Sequence, residues 1–167
     1  KAIAVKYSMT GAVGNSSGEI IMQGNKFCIT ASNMICWYNG KTQWSYSTMS
    51  NEVSIMEPTA SELQVVNPFS VISNFQTAYT ATLMKGNASS NIVQLKPKNA
   101  RTSQFSQVVV TIAKKTNLPS KIIATMRDKS KISITLSGYR TGGNFPASTF
   151  VYNKKYVPAG TQVVDLR

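Results

Sequence analysis

The sequence contains no histidine, so the side chain that most often serves as general base or metal ligand near neutral pH is missing. Acids are few as well. Glu19, Glu52, Glu57, Glu62, Asp128 and Asp165 are scattered over strand ends, turns and a helix start, and no local pair resembles a general acid and base. There is no Gly-x-Ser-x-Gly elbow, phosphate loop or dinucleotide fingerprint. These absences argue against an enzyme and imply no cofactor. Cys28 and Cys36 are the only cysteines; they lack the CxxC spacing of a redox site, and without histidine they cannot complete a zinc site. No apolar run is long enough to span a bilayer, and no charged, apolar, small-residue leader opens the chain. The strand-like start KAIAVKYSMT suggests that upstream sequence, including a signal peptide, has been removed.

The shortage of acids leaves a lopsided charge. Residues 1–84 carry four Lys and four Glu and net zero, whereas residues 85–167 carry fourteen Lys or Arg against Asp128 and Asp165 and net +12. A basic half suggests an anionic membrane, nucleic acid or an acidic protein as partner, or simply a solvated face that aids solubility. Nucleic acid is the weaker of these: the aromatics cluster in the neutral half, and no nucleic-acid-binding motif occurs.

At 167 residues the chain reads as a single domain, 1–167, able to bury a real core. Its organising stretch is Lys26 to Tyr46, predicted as three antiparallel strands. Asn39-Gly40 between alternating runs predicts a type I′ hairpin, which places Ile35, Trp37, Trp44 and Tyr46 on one face. A turn through Ala31-Ser32-Asn33 pairs Ile29 with Ile35 and Phe27 with Trp37, extending that face. The same register sets Cys28 opposite Cys36, close enough for a disulfide; the alternative is two small buried thiols in a reducing compartment.

Around this core the pattern predicts strands over residues 2–10, 19–23, 52–56, 80–84, 92–96, 105–113, 121–127, 131–139 and 162–166, spaced as in a sandwich or barrel. Val108, Val110 and Ile112 share one face, and so do Ile132, Ile134 and Leu136. Between Pro58 and Tyr79 the period changes. A capping box at Thr59-Ala-Ser-Glu62 and the pair Asn67-Pro68 predict two short helices. Phe69, Ile72 and Phe75 form an apolar stripe on the second, which either packs as ordinary core or covers a ligand. A further helical turn is predicted over residues 146–150.

The run Trp37-Tyr38-Asn39-Gly40-Lys41-Thr42-Gln43-Trp44-Ser45-Tyr46 is similar to the Asp-Gly-Lys-Thr-x-Trp-x-Tyr hairpin of the periplasmic lipoprotein-carrier (LolA) family, with Asn39 for its aspartate. Phe145-Pro146-Ala147-Ser148-Thr149-Phe150, followed by Gly160-Thr161-Gln162-Val163-Val164-Asp165, resembles that family's closing pattern. The resemblance implies a mainly β fold with a few short helices: an unclosed, curved antiparallel barrel under a helical lid, here without the family's N-terminal lid helix. It also implies a monomeric periplasmic carrier that takes lipoprotein acyl chains from an inner-membrane transporter and passes them to an outer-membrane receptor, without covalent chemistry. Phe27, Ile29, Ile35, Trp37, Trp44 and Tyr46 on the sheet and Phe69, Ile72 and Phe75 on the lid are the expected cavity lining; the alternative is that they form a sealed core. A second reading of the same fold is an envelope sensor for lipidated or misfolded proteins. Gln23-Gly24 stands where the typical carrier has an Arg-Pro pair that helps hold the lid, so other contacts must hold it here.

Overall fold

The structure, a computed structural model, describes residues 2–67, 69 and 75–167. The strands are β1 (Ala2–Gly11), β2 (Ser16–Gln23), β3 (Lys26–Ala31), β4 (Met34–Tyr38), β5 (Gln43–Ser47), β6 (Glu52–Met56), β7 (Tyr79–Met84), β8 (Ser90–Pro97), β9 (Phe105–Ala113), β10 (Leu118–Met126), β11 (Lys131–Thr141) and β12 (Gln162–Asp165). They hydrogen-bond in the order β12-β6-β5-β4-β3-β2-β1-β11-β10-β9-β8-β7. β12 pairs parallel to β6 at one end, the other described registers are antiparallel, and the order does not close on itself. The class is mainly β with a few short helices and an unclosed sheet, as the resemblance implies.

Two compact units divide the chain. The first holds Lys1–Lys6, Ser17–Thr59 and Gly138–Arg167; the second holds Tyr7–Ser16 and Ala60–Ser137. In the second unit the period-2 pattern of β9, β10 and β11 buries Val108, Val110, Ile122, Ala124, Ile132, Ile134 and Leu136 on one face. Pro119 falls inside β10, opposite Ile112, and the turn precedes it, with Asn117 at φ 57° and its N–H donating to Ala113 O across 2.8 Å. The turn between β9 and β10 thus lies at residues 114–117, and proline is tolerated where β9 and β10 shift register between Pro119 and Lys121.

Helix α1 (Ala60–Val66) begins where the capping box predicts, and residues 75–78 are also helical. Pro68 and Ile72 lie outside the described residues. The 3-10 turn Ala147–Phe150 follows Pro146, whose fixed φ of −61° suits it to the position before the turn.

In the first unit two registers differ from the sequence expectation. β4 and β5 are joined by Asn39–Thr42, not by a two-residue turn, because the Asn39 Oδ1 accepts from the N–H groups of Lys41 at 3.0 Å and Thr42 at 2.9 Å and so folds its own loop. Gly40 takes φ 101° there, and a Cβ on it would meet the Asn25 side chain at 2.9 Å. The pairing moves by two residues, to Trp37 opposite Trp44 and Ile35 opposite Tyr46, so the faces survive. β3 and β4 turn through Ser32-Asn33 alone, and the pairing moves by one: Cys28 faces Trp37, Ile29 faces Cys36 and Phe27 faces Tyr38. A one-residue slip exchanges the faces of a strand.

Candidate functional site

Because of that slip, the six sheet residues expected on one face are divided between two. Ile35, Trp37, Trp44 and Tyr46 share a face with Cys28, whereas Phe27 and Ile29 lie on the opposite face with Cys36 and Tyr38. The expected Cys28–Cys36 bond is corrected by the same register. The two residues are not partners across the ladder, and both are free, buried thiols. Burial pushes the Cys28 thiol up to about 11 and that of Cys36 to about 12, because neither site solvates a thiolate.

The Trp37 face is closed by the chain itself. Cys28, Trp37, Tyr46, Val53 and Phe150 form a buried cluster, with Phe145, Tyr152 and Val157 packed on it from the C-terminal segment. The ring of Tyr152 stands edge-on to Trp37 at 5.6 Å. Buried aromatics of this size each remove roughly 150–250 Å² from water, about 4–6 kcal/mol apiece at ~25 cal/mol per Å² before ordering costs. The segment is also pinned by a polar contact: the Phe145 N–H donates to Gln23 Oε1 across 2.8 Å, so Gln23 of the Gln23-Gly24 pair holds the C-terminal segment. Ile35, Trp37, Trp44 and Tyr46 thus pack in a core under residues 145–157.

On the opposite face of the same strands Ile20, Phe27, Ile29, Cys36, Tyr38 and Gln43 are buried too, outside the cluster that residues 145–157 close. Met22, Phe27, Tyr38, Gln43 and Met56 follow one another across β2 to β6, and Ile20, Ile29, Cys36 and Ser45 form the next row. Phe27 stacks on Tyr38 with ring centroids 5.2 Å apart. Gln43 apart, the row is apolar, and its two thioethers are side chains that adapt to irregular packing. Reading Ser32-Asn33 as a two-residue turn would have placed Tyr38 beside Phe27 from the sequence.

In the second unit, Phe69 is 3% exposed and packs edge-to-face on Tyr7, with centroids 5.7 Å apart. Phe75, also expected to line the cavity, is 37% exposed. A pocket of about 170 Å³, lined by Gln64, Tyr79, Lys98 and Ser103 among others, lies beside these elements; it is smaller than the roughly 300–1,000 Å³ of typical ligand sites. Its wall is tied together by the Gln64 side chain, whose Oε1 accepts from the Gln104 N–H at 3.1 Å. Among the described residues, no group of three acids or cysteines could hold a metal, and no helix is long and apolar enough to cross a membrane.

A search of curated proteins finds no match. Among solved structures, the chain is similar to an uncharacterized conserved protein from Thermus thermophilus, with a TM-score of 0.60 and 10% identity over 99% of this chain and 90% of that one. It is likewise similar to a LolA superfamily protein from Nitrosomonas europaea, with a TM-score of 0.50 and 11% identity over 93% of this chain and 90% of that one. Such low identities show a shared fold. The model of one family, described as outer membrane lipoprotein carrier protein LolA, matches residues 2–130. The chain therefore belongs to the LolA outer membrane lipoprotein carrier family.

Proposed function

We propose that the protein is a periplasmic carrier that binds lipoprotein acyl chains on the Phe27 face of its sheet and conveys them towards the outer membrane. The observation that carries this reading is that Phe27, Ile29 and Tyr38, with Met22 and Met56 beside them, form a second buried apolar face across β2 to β6, outside the cluster that residues 145–157 close. Family membership supplies the ligand class. Each acyl methylene taken out of water contributes roughly 0.8 kcal/mol, so shielding a few turns of chain offsets the cost of leaving a membrane. Ile35, Trp37, Trp44 and Tyr46 have the structural task of anchoring the C-terminal segment.

The test is displacement of a bound apolar fluorescent probe by a triacylated lipopeptide, with the same peptide lacking acyl chains as control. Displacement by the acylated form alone supports the carrier. Equal displacement by both, or no probe uptake, contradicts it.

A further inference from the structure

Strand β7 stands at one end of the strand order and, among the described residues, pairs only with β8. That pairing runs unbroken from Tyr79 opposite Pro97 to Met84 opposite Ile92, without a bulge. Just before it, the Lys98 N–H donates to Ala78 O across 2.9 Å, which fixes the phase of the ladder. In an antiparallel pair alternate residues turn both backbone groups to the neighbour. Thr80, Thr82 and Met84 therefore face β8, and Ala81 and Leu83 present their N–H and C=O groups away from the sheet. All of Thr80–Met84 is exposed, Leu83 at 74% and Met84 at 43%.

Sheets ordinarily protect such an edge with a proline, a charge, a bulge or a cover. The stretch Thr80-Ala81-Thr82-Leu83-Met84 has no proline, charge or bulge. Cations surround it instead: Lys85 follows directly, and Lys96 sits opposite Thr80, both exposed. The second unit holds ten Lys or Arg against Glu62 and Asp128, and the three ion pairs among the described residues, Lys41–Glu57, Arg140–Glu19 and Arg167–Asp165, all belong to the first.

We propose that the outer edge of β7 is a docking site for an extended acidic segment of a partner protein, added to the sheet as a further strand. Backbone groups of Ala81 and Leu83 supply the ladder, the Leu83 side chain packs against an apolar residue of the incoming strand, and Lys96, on the other face beside Thr80, selects acidic residues at the alternate positions, with Lys85 adding positive charge at the strand end. A second copy of this chain is disfavoured, because pairing β7 with β7 brings two +12 molecules into contact with no added acid to offset the charge. The site is separate from the acyl face and extends the proposed function to the protein that the carrier meets.

The probe is a fluorescein-labelled heptapeptide of alternating Asp and Val, titrated with the full chain and followed by anisotropy. Four comparisons accompany it: the same peptide with Lys for Asp, the peptide N-methylated at alternate residues along one edge, the variant Lys96→Glu, and the variant Ala81→Pro, which removes an outward N–H while sparing the bonds to β8. The acidic peptide is expected to bind; N-methylation and Ala81→Pro each to weaken it at least tenfold; Lys96→Glu to weaken it several-fold; and the Lys peptide to bind at least tenfold more weakly. The N-methylated peptide needs no change in the protein, so it decides the matter even where Ala81→Pro does not fold. Absence of binding, equal binding of the N-methylated or Lys peptide, or concentration-dependent self-association through β7 overturns the proposal. Uptake of the acyl probe by Ala81→Pro is expected to be unchanged, which separates this site from the carrier function.

Discussion

The indole of Trp37 meets the Tyr152 ring edge-on, with centroids 5.6 Å apart and planes inclined by 70°. That contact joins the central hairpin to a segment more than a hundred residues later and closes one side of the sheet. Trp37, 2% exposed, thereby becomes structural.

Trp37→Ala is expected to lower unfolding stability by roughly 3–5 kcal/mol, and Tyr152→Ala by about 1–3 kcal/mol, measured by urea titration. Folded Tyr152→Ala retains acyl-probe binding. Loss of probe binding in that folded variant would place the ligand on the Trp37 side.

Gln23 gives a second, polar handle on the same closure. Gln23→Ala leaves the Phe145 N–H without its 2.8 Å acceptor, and a cost of about 0.5–1.5 kcal/mol follows. Faster hydrogen exchange at the Phe145 amide is the specific signature to look for.

The two thiols make a prediction about pH. Both are protonated in the folded state up to about 11 for Cys28 and about 12 for Cys36, against 9.0 for an ordinary thiol. A raised pKa means that the unfolded chain gives up these protons first. Their contribution is therefore intact below about pH 9 and is lost as pH rises from there towards 11–12. Alkylation at pH 8 should be slow in the folded protein, and under denaturing, non-reducing conditions both cysteines should take up one adduct each by intact mass.

Much of this architecture was legible in the sequence. Glu52–Met56 and Phe105–Ala113 begin and end where their alternation predicts, and Ile132, Ile134 and Leu136 are buried as their spacing requires, since strict period-2 patterning leaves one solution when a face is buried. The family was legible too, from the hairpin and the closing motif. Loop length in the first unit was harder to read. Asn39 folds its loop through side-chain bonds that no pattern of apolar residues reports, and Ser32-Asn33 alone makes the turn that the sequence reading assigns to Ala31-Ser32-Asn33. A one-residue error there moved Phe27 and Ile29 to the wrong face and placed the cysteines opposite each other. The parallel pairing of β12 with β6 depends on a long return of the chain, with no local signal to announce it.

Phe69 packs on Tyr7 within the second unit. Phe69→Ala removes that ring and should lower stability by roughly 3–5 kcal/mol in urea titration. An unchanged midpoint would mean that the contact contributes nothing to the fold.

The central claim is that the acyl chain lies on the Phe27 face and not on the Trp37 face. Photocrosslinking tests it most directly: a benzophenone amino acid replaces Phe27 in one variant and Trp44, half-buried on the other face, in a second, each irradiated with a triacylated lipopeptide. The account predicts crosslinks to the acyl chains from position 27 and none from position 44. Crosslinks from position 44 with none from position 27 would contradict it.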